Sequence, residues 1–144
     1  MMIPFSTTLH VRDTCLCLHT QRAARALARR FDNALKPLDL TNGQFSLMMA
    51  LNRPEPVPMR PVADLLAMDR TTLTAAIKVL VRRGLVEVMP DPTDRRSRLT
   101  KLTQEGTTLL LNALPIWTRV HEDIDDELGE RLAPLRNSLK SISD

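Results

Sequence analysis

The chain has 144 residues, 43% of them hydrophobic and 26% charged, a mixture that suits one globular domain rather than a disordered chain. Its formal net charge of +3 permits a polyanionic partner without requiring one. Three Phe, one Trp and no Tyr argue against a single-strand binder built on aromatic platforms, and two cysteines are too few for a disulfide scaffold or a four-cysteine zinc site.

No apolar run approaches the ~18–20 residues of a membrane span. The opening "MMIPFSTTLHVRD" lacks the apolar centre of a secretory signal, so a cytoplasmic protein is expected. Nothing in the sequence calls for a metal or a cofactor.

In chain order, residues from about Thr14 to Leu38 read as one long helix. Leu16, Thr20, Ala23, Ala24, Leu27, Phe31, Ala34 and Leu35 recur at steps of three and four. Its other face, with Gln21, Arg22, Arg25, Arg29 and Arg30, reads as solvated charge. Thr41 and Gln44 have the spacing of a capping box and start a second helix, apolar nearly all round at Phe45, Leu47, Met48, Met49 and Leu51. Pro54, Pro56, Pro58 and Pro61 then mark an extended connector or a short edge strand at most. Pro61 fits the first position of a short helix, "PVADLLAM", with Val62, Leu65 and Leu66 inward.

Asp69 is an N-cap and Gly84 a stop for the next helix, whose apolar stripe is Leu73, Ile77, Leu80 and Val81. Two strands follow, "LVEVM" and "SRLTKLT", joined through "PDPTDRR" as a hairpin with a long basic tip. From Thr103 to about Leu128 runs a second long helix with Leu109, Leu110, Ala113, Leu114, Trp117, Val120, Ile124 and Leu128 on one face. Pro115 should kink it, and Gly129 should end it. "RLAPLRNSLKSISD" is a last short amphipathic helix. Charge is segregated: Asp69 to Lys101 carries a net +4, and His121 to Asp144 a net −4.

Short helix, tight turn, helix and basic hairpin is the layout of a winged helix-turn-helix. The fold class expected is mainly α with a small β-hairpin. Such a helix fits the DNA major groove. Arg70, Thr71, Thr72, Thr74 and Lys78 would then meet bases and phosphates. The helix N-terminus would favour phosphate, and the tip arginines Arg95 and Arg96 would lie near the minor groove. Side chains two apart on an extended strand share a face, so Asp94 is expected to pair with Arg96 and orient it.

The stretch from "ADLLAMDRTTLTAAIKVLVRRGLVEV" through "DPTDRRSRLTKLTQEG" resembles the MarR family of bacterial transcription regulators. The resemblance implies a homodimer, with dimerisation helices at about 10–38 and 104–144 around a lobe at about 41–103. It implies two winged motifs on one pseudo-palindromic duplex, half-sites about 10 bp apart. Within Asp94-Arg95-Arg96 it assigns minor-groove insertion to Arg96, and Arg95 is then the phosphate contact. Two departures leave the operator open: Ala67 where many members have glycine, and Ala75 where many have arginine.

The resemblance implies a repressor released by a small aromatic or anionic ligand held between the dimer helices and the lobe. His19, Met48 and Trp117 are the candidates to line that region. Alternatively Cys15 and Cys17 sense an oxidant, since Cys17 matches the sensing position of the organic-hydroperoxide regulators; otherwise both are small apolar residues at a dimer interface. A disulfide between residues two apart on one helix would need local unwinding. A thiol peroxidase would lack a recognisable base beside either cysteine, so no enzyme is expected. A module for protein contacts alone would not need Arg95 and Arg96 together.

Overall fold

The computed structural model describes residues 1–144. Helix α1 spans Phe5–Thr14 and α2 Leu16–Leu35, followed by a short 3-10 turn at Lys36–Leu38. Then come α3 (Asn42–Leu51), β1 (Val57–Pro58), α4 (Met59–Leu66) and α5 (Arg70–Arg82). The hairpin is β2 (Val86–Asp91) and β3 (Asp94–Leu102). Helix α6 (Gln104–Leu128), a 3-10 turn at Gly129–Arg131 and α7 (Leu132–Ser143) complete the chain.

The expected first helix, Thr14–Leu38, is α2 with the 3-10 turn, and α1 is a further helix before it, so helical structure begins at Phe5 rather than near residue 10. Cys15 makes the break, with an extended backbone at φ −68° and ψ 110°. At the other end Pro37 has no N–H to continue the ladder, and Asp39 turns the chain in the left-handed region at φ 51°. Asp32 fixes this corner. Its carboxylate accepts from the Asn42 backbone N–H at 2.7 Å and from the Asn42 side-chain amide at 2.9 Å.

Thr41 and Gln44 do form the capping box of α3, each side chain taking the other's backbone N–H at 3.1 Å. The helix buries Phe45, Leu47, Met48, Ala50 and Leu51, while Met49 stays exposed. Helix α4 starts at Met59, two residues before the expected Pro61. Proline at the third position costs no hydrogen bond, because the first-turn N–H groups have no intrahelical partner. Val62 and Ala63 are buried, Leu66 packs against the core and Leu65 is exposed, so Leu65 does not face inward as expected. In α5 the buried stripe is Leu73, Ile77 and Leu80, with Val81 exposed.

The sheet has three antiparallel strands in the order β1-β3-β2. The proline-bearing β1 is an edge, as its missing donor requires. Thr100 of β3 is the one buried polar side chain, and its hydroxyl donates to the Val57 carbonyl at 3.0 Å. Helix α6 runs unbroken through Pro115 and ends at Gly129, φ 53°.

The core lies where α3, α4, α5, the sheet and the first half of α6 meet. The terminal helices stand outside it. Phe5, Val11, Leu16, Leu27, Leu135, Leu139 and Ile142 are all exposed. A compact chain of this mass would leave about 7,500 Å² accessible. This one leaves 10638 Å².

Where β2 begins, α6 also begins. The Thr103 hydroxyl donates to the Gly84 carbonyl at 2.6 Å and accepts from the Gly106 N–H at 3.0 Å. The Thr103 N–H donates to the Leu85 carbonyl at 3.0 Å. A Cβ on Gly106 would stand 2.1 Å from that same carbonyl oxygen. Gly106→Ala should therefore cost about 2–3 kcal/mol, read as a fall in the denaturant midpoint at fixed protein concentration. An unchanged midpoint would show that the Leu85 backbone can yield without penalty.

Candidate nucleic-acid interface

The α4–α5 turn is closed by Ala67 in the left-handed region, φ 50° and ψ 43°. Its N–H donates to the Asp64 carbonyl at 3.2 Å, and that of Met68 to Ala63 at 2.9 Å. Alanine there carries a strain of roughly 1–2 kcal/mol that glycine would avoid. Asp69 then caps α5. One carboxylate oxygen accepts from the Thr72 N–H and the other from the Thr72 hydroxyl, both at 2.8 Å. These bonds, the backbone one first, hold the Asp69 carboxyl below the usual carboxylate range.

This cap alters the expected role of the helix end. The N-terminus already has an anion of its own, and the Thr72 hydroxyl proton is committed to it. Arg70, Thr71 and Lys78 remain exposed and Thr74 half-buried. Thr71, Thr74 and Lys78 follow at steps of three and four, so they share the face opposite the buried stripe.

The hairpin tip is shorter than expected. β2 and β3 run to Asp91 and Asp94, leaving only Pro92 and Thr93 between them, with a bulge at Pro90/Asp91. Pro90 is tolerated because β2 is an edge strand. Asp91 organises the turn: it accepts the Thr93 N–H at 2.9 Å and the Thr93 hydroxyl at 2.8 Å. Those two bonds, the backbone one first, lower its pKa.

Asp94 does not pair with the Arg96 guanidinium, contrary to expectation. It accepts the Arg96 backbone N–H at 2.9 Å. The brace is on the main chain, and the arginine side chain is left free. Lys101 meets Glu87 directly across the strands at 3.1 Å, which offsets its charge. The face of β3 that packs inward at Thr100 carries Arg98 and Arg96 further out, whereas Arg95 lies on the opposite face.

Between α4, the start of α5 and the tip is an open cavity of about 800 Å³. Arg60, Arg70, Arg96 and Arg98 line it, with Asp64 and Asp91. Arg60 and Asp91 were not singled out from the sequence. Asp-Pro-Thr carries a local signal for Asp91, since a carboxylate two residues before a threonine commonly closes an Asx turn.

A second cavity, about 380 Å³ and almost wholly apolar, lies among Phe45, Met49, Leu65, Leu114 and Trp117, with Ser46 at its wall. Trp117 stacks on Phe45 at 6.1 Å between ring centroids, and the His121 ring lies tilted against it at 4.9 Å. Of the three expected cleft residues only Trp117 is there. Met48 is fully buried in the core, one residue and about 100° of helix away from Met49. His19 lies in a separate groove of α1 and α2 beside Arg12 and Arg22.

Within one chain neither cysteine is buried: Cys15 is half-exposed and Cys17 exposed. The Gln21 amide donates to the Cys17 sulfur at 3.2 Å. Since Cys15 sits at the helix break, the two thiols are not on one helix, and the geometric objection to bridging them loses its premise. Arg30, on the face read as solvated charge, keeps part of its exposure but also has a partner. It grips Glu127 of α6 through two bonds of 2.9 and 3.1 Å.

Comparison with known proteins follows the same outline. A MarR family model matches residues 38–97. The multiple antibiotic resistance protein MarR of Escherichia coli K12 is 30% identical over 104 residues, covering 72% of this chain and 70% of that protein. The regulator SarZ of Staphylococcus haemolyticus is 28% identical over 138 residues and 93% of each chain. A crystal structure of the Mycobacterium tuberculosis transcriptional regulator MosR in complex with DNA superposes with a TM-score of 0.82. It is 34% identical, over 90% of this chain and 93% of that one. These relatives are transcription regulators, not enzymes.

The two turn carboxylates set an acid dependence. Both Asp69 and Asp91 titrate below their ordinary range when folded, so the unfolded chain takes up protons first. The stability they supply is complete above about pH 4 and is lost as pH falls through their lowered values. Asp69→Asn with Asp91→Asn keeps an acceptor oxygen at each site and removes the charge. That variant should show a flatter acid limb in its stability–pH curve; a limb as steep as the parent's would remove these groups from the account.

Proposed function

Because the chain belongs to the MarR family of winged-helix transcription regulators, we propose that it is a sequence-specific duplex-DNA-binding repressor. It acts as a homodimer on a pseudo-palindromic operator and leaves that operator when a small molecule binds. The observation that carries this reading is the pairing of two exposed elements around one cavity. The polar face of α5, with Arg70, Thr71, Thr74 and Lys78, suits a major groove. The inner-face arginine Arg96 suits the adjacent minor groove, and Arg95 a phosphate beside it. Neighbouring structures include the repressor CouR bound to a 23-mer DNA duplex, 27% identical with a TM-score of 0.82.

The homodimer reading is supported by the uncovered apolar residues of α1, α2 and α7 and by the excess accessible surface. Obligate homodimer interfaces bury roughly 2,000–5,000 Å² or more in total, and two such excesses, about 6,300 Å² together, are enough to supply one. Release by a ligand is supported by the apolar cavity at Trp117, whose volume fits a small aromatic molecule. Its lining offers one hydroxyl, Ser46, and no cation, which favours a neutral aromatic over a carboxylate.

A second reading for the signal rests on the helix break. With Cys15 in an extended junction and Cys17 exposed, an organic hydroperoxide could oxidise the two thiols to a disulfide, itself reduced to alcohol and water. Peroxide should then release DNA from the parent and not from a Cys15→Ser, Cys17→Ser variant; equal release from both would make the thiols structural.

Duplexes selected from a random pool give the direct test of DNA binding. Arg96→Ala should weaken their binding at least several-fold, and unchanged affinity at moderate salt would end the wing's role. The position of Asp94 refines this. Because it holds a backbone N–H, Asp94→Asn should bind nearly as the parent does, while Asp94→Ala should bind less tightly. The reverse order would show that the carboxylate acts through its charge.

A further inference from the structure

Arg60 lies at the second position of α4, exposed, with no carboxylate within 4.0 Å of its guanidinium. It sits on the rim of the cavity between α4, the start of α5 and the hairpin tip, opposite Arg96 and Arg98. With Arg70 at the start of α5, three separate elements bring cations to one mouth. Two of the cavity's three carboxylates are held by the backbone of the tip: Asp91 by Thr93 and Asp94 by Arg96. One oxygen of each is bonded into the turn it closes. Only Asp64, one helical turn beyond Arg60, has no side-chain hydrogen bond or ion pair there.

The placement has a geometric consequence. If α5 enters a major groove and the wing tip the neighbouring minor groove, one sugar–phosphate strand must pass between them. The mouth of this cavity is the space between α5 and the tip. We infer that Arg60, together with Arg98, contacts that intervening strand and neutralises its phosphates. This rests on the DNA-binding reading above and adds to it a contact from the first helix of the motif. Arg60 carries affinity and register but no base discrimination, because phosphates are the same at every step. Asp64 works against it and limits the affinity.

The test is the salt dependence of binding by the full-length protein. Parent, Arg60→Ala and Arg60→Lys are titrated into a random-sequence duplex and into a selected duplex over a range of potassium chloride. Each phosphate contact contributes a slope of about −0.9 to log K against log salt, so losing two per dimer should flatten the Arg60→Ala slope by about 1.8. Affinity should fall about tenfold on both duplexes, with their ratio unchanged, and Arg60→Lys should keep most of the slope. Thermal unfolding of the variant should match the parent, since Arg60 is exposed. An Arg60→Ala slope equal to the parent's overturns the inference, as does a loss confined to the selected duplex, which would make Arg60 a base reader. A parent that binds neither duplex, or binds with no salt dependence, instead overturns the DNA-binding reading itself.

Discussion

The start of the long helix α6 can lie against the start of β2 only because residue 106 has no side chain. The approach is backbone to backbone, and Thr103 fastens it with its hydroxyl and its N–H on Gly84 and Leu85. Three things meet at this knot: the exit of α5, the root of the hairpin and the root of α6. None of them can shift alone without breaking one of these hydrogen bonds or forcing a clash. Helix α6 then passes Leu114 and Trp117 along the apolar cavity and reaches α2 through Glu127 and Arg30. The same helix thus lines the apolar cavity at Trp117 and roots the wing at Gly106.

Four aspartates in and beside the basic lobe have a common task. Asp32, Asp69, Asp91 and Asp94 each accept a backbone N–H within or beside a turn. A carboxylate used this way is oriented toward its own chain, so its charge is partly spent locally. The arginines, whose long side chains reach beyond these turns, dominate what an approaching polyanion meets. Segregation of charge here is thus a matter of direction as well as of composition.

What was legible in the sequence was what local chemistry dictates. The caps at Thr41, Asp69 and Thr103 and the stop at Gly129 depend on residues three or four apart, and they stand where read. The helix break at Cys15 has no glycine or proline to announce it, and α1 has no apolar stripe to reveal it. Pro90 and Pro92 suggested a long loop because their edge position could not be known before the strand order was. In α3, where nearly every residue is apolar, periodicity cannot tell which side is outermost; hence Met48 was chosen where Met49 faces the cavity. Asp94 and Arg96 were rightly placed on one face, but which group of the arginine the carboxylate takes depends on backbone geometry at the tip. Arg60 was hidden among prolines that drew attention to themselves.

Trp117 is the only tryptophan, and there is no tyrosine. Almost all of the near-ultraviolet absorbance and emission of this protein therefore arises from one ring, in contact with Phe45 and His121 on the wall of the apolar cavity. The molecule carries a single built-in chromophore on the wall of that cavity. Its light reports cavity and ring stack together, from one known position, without any label.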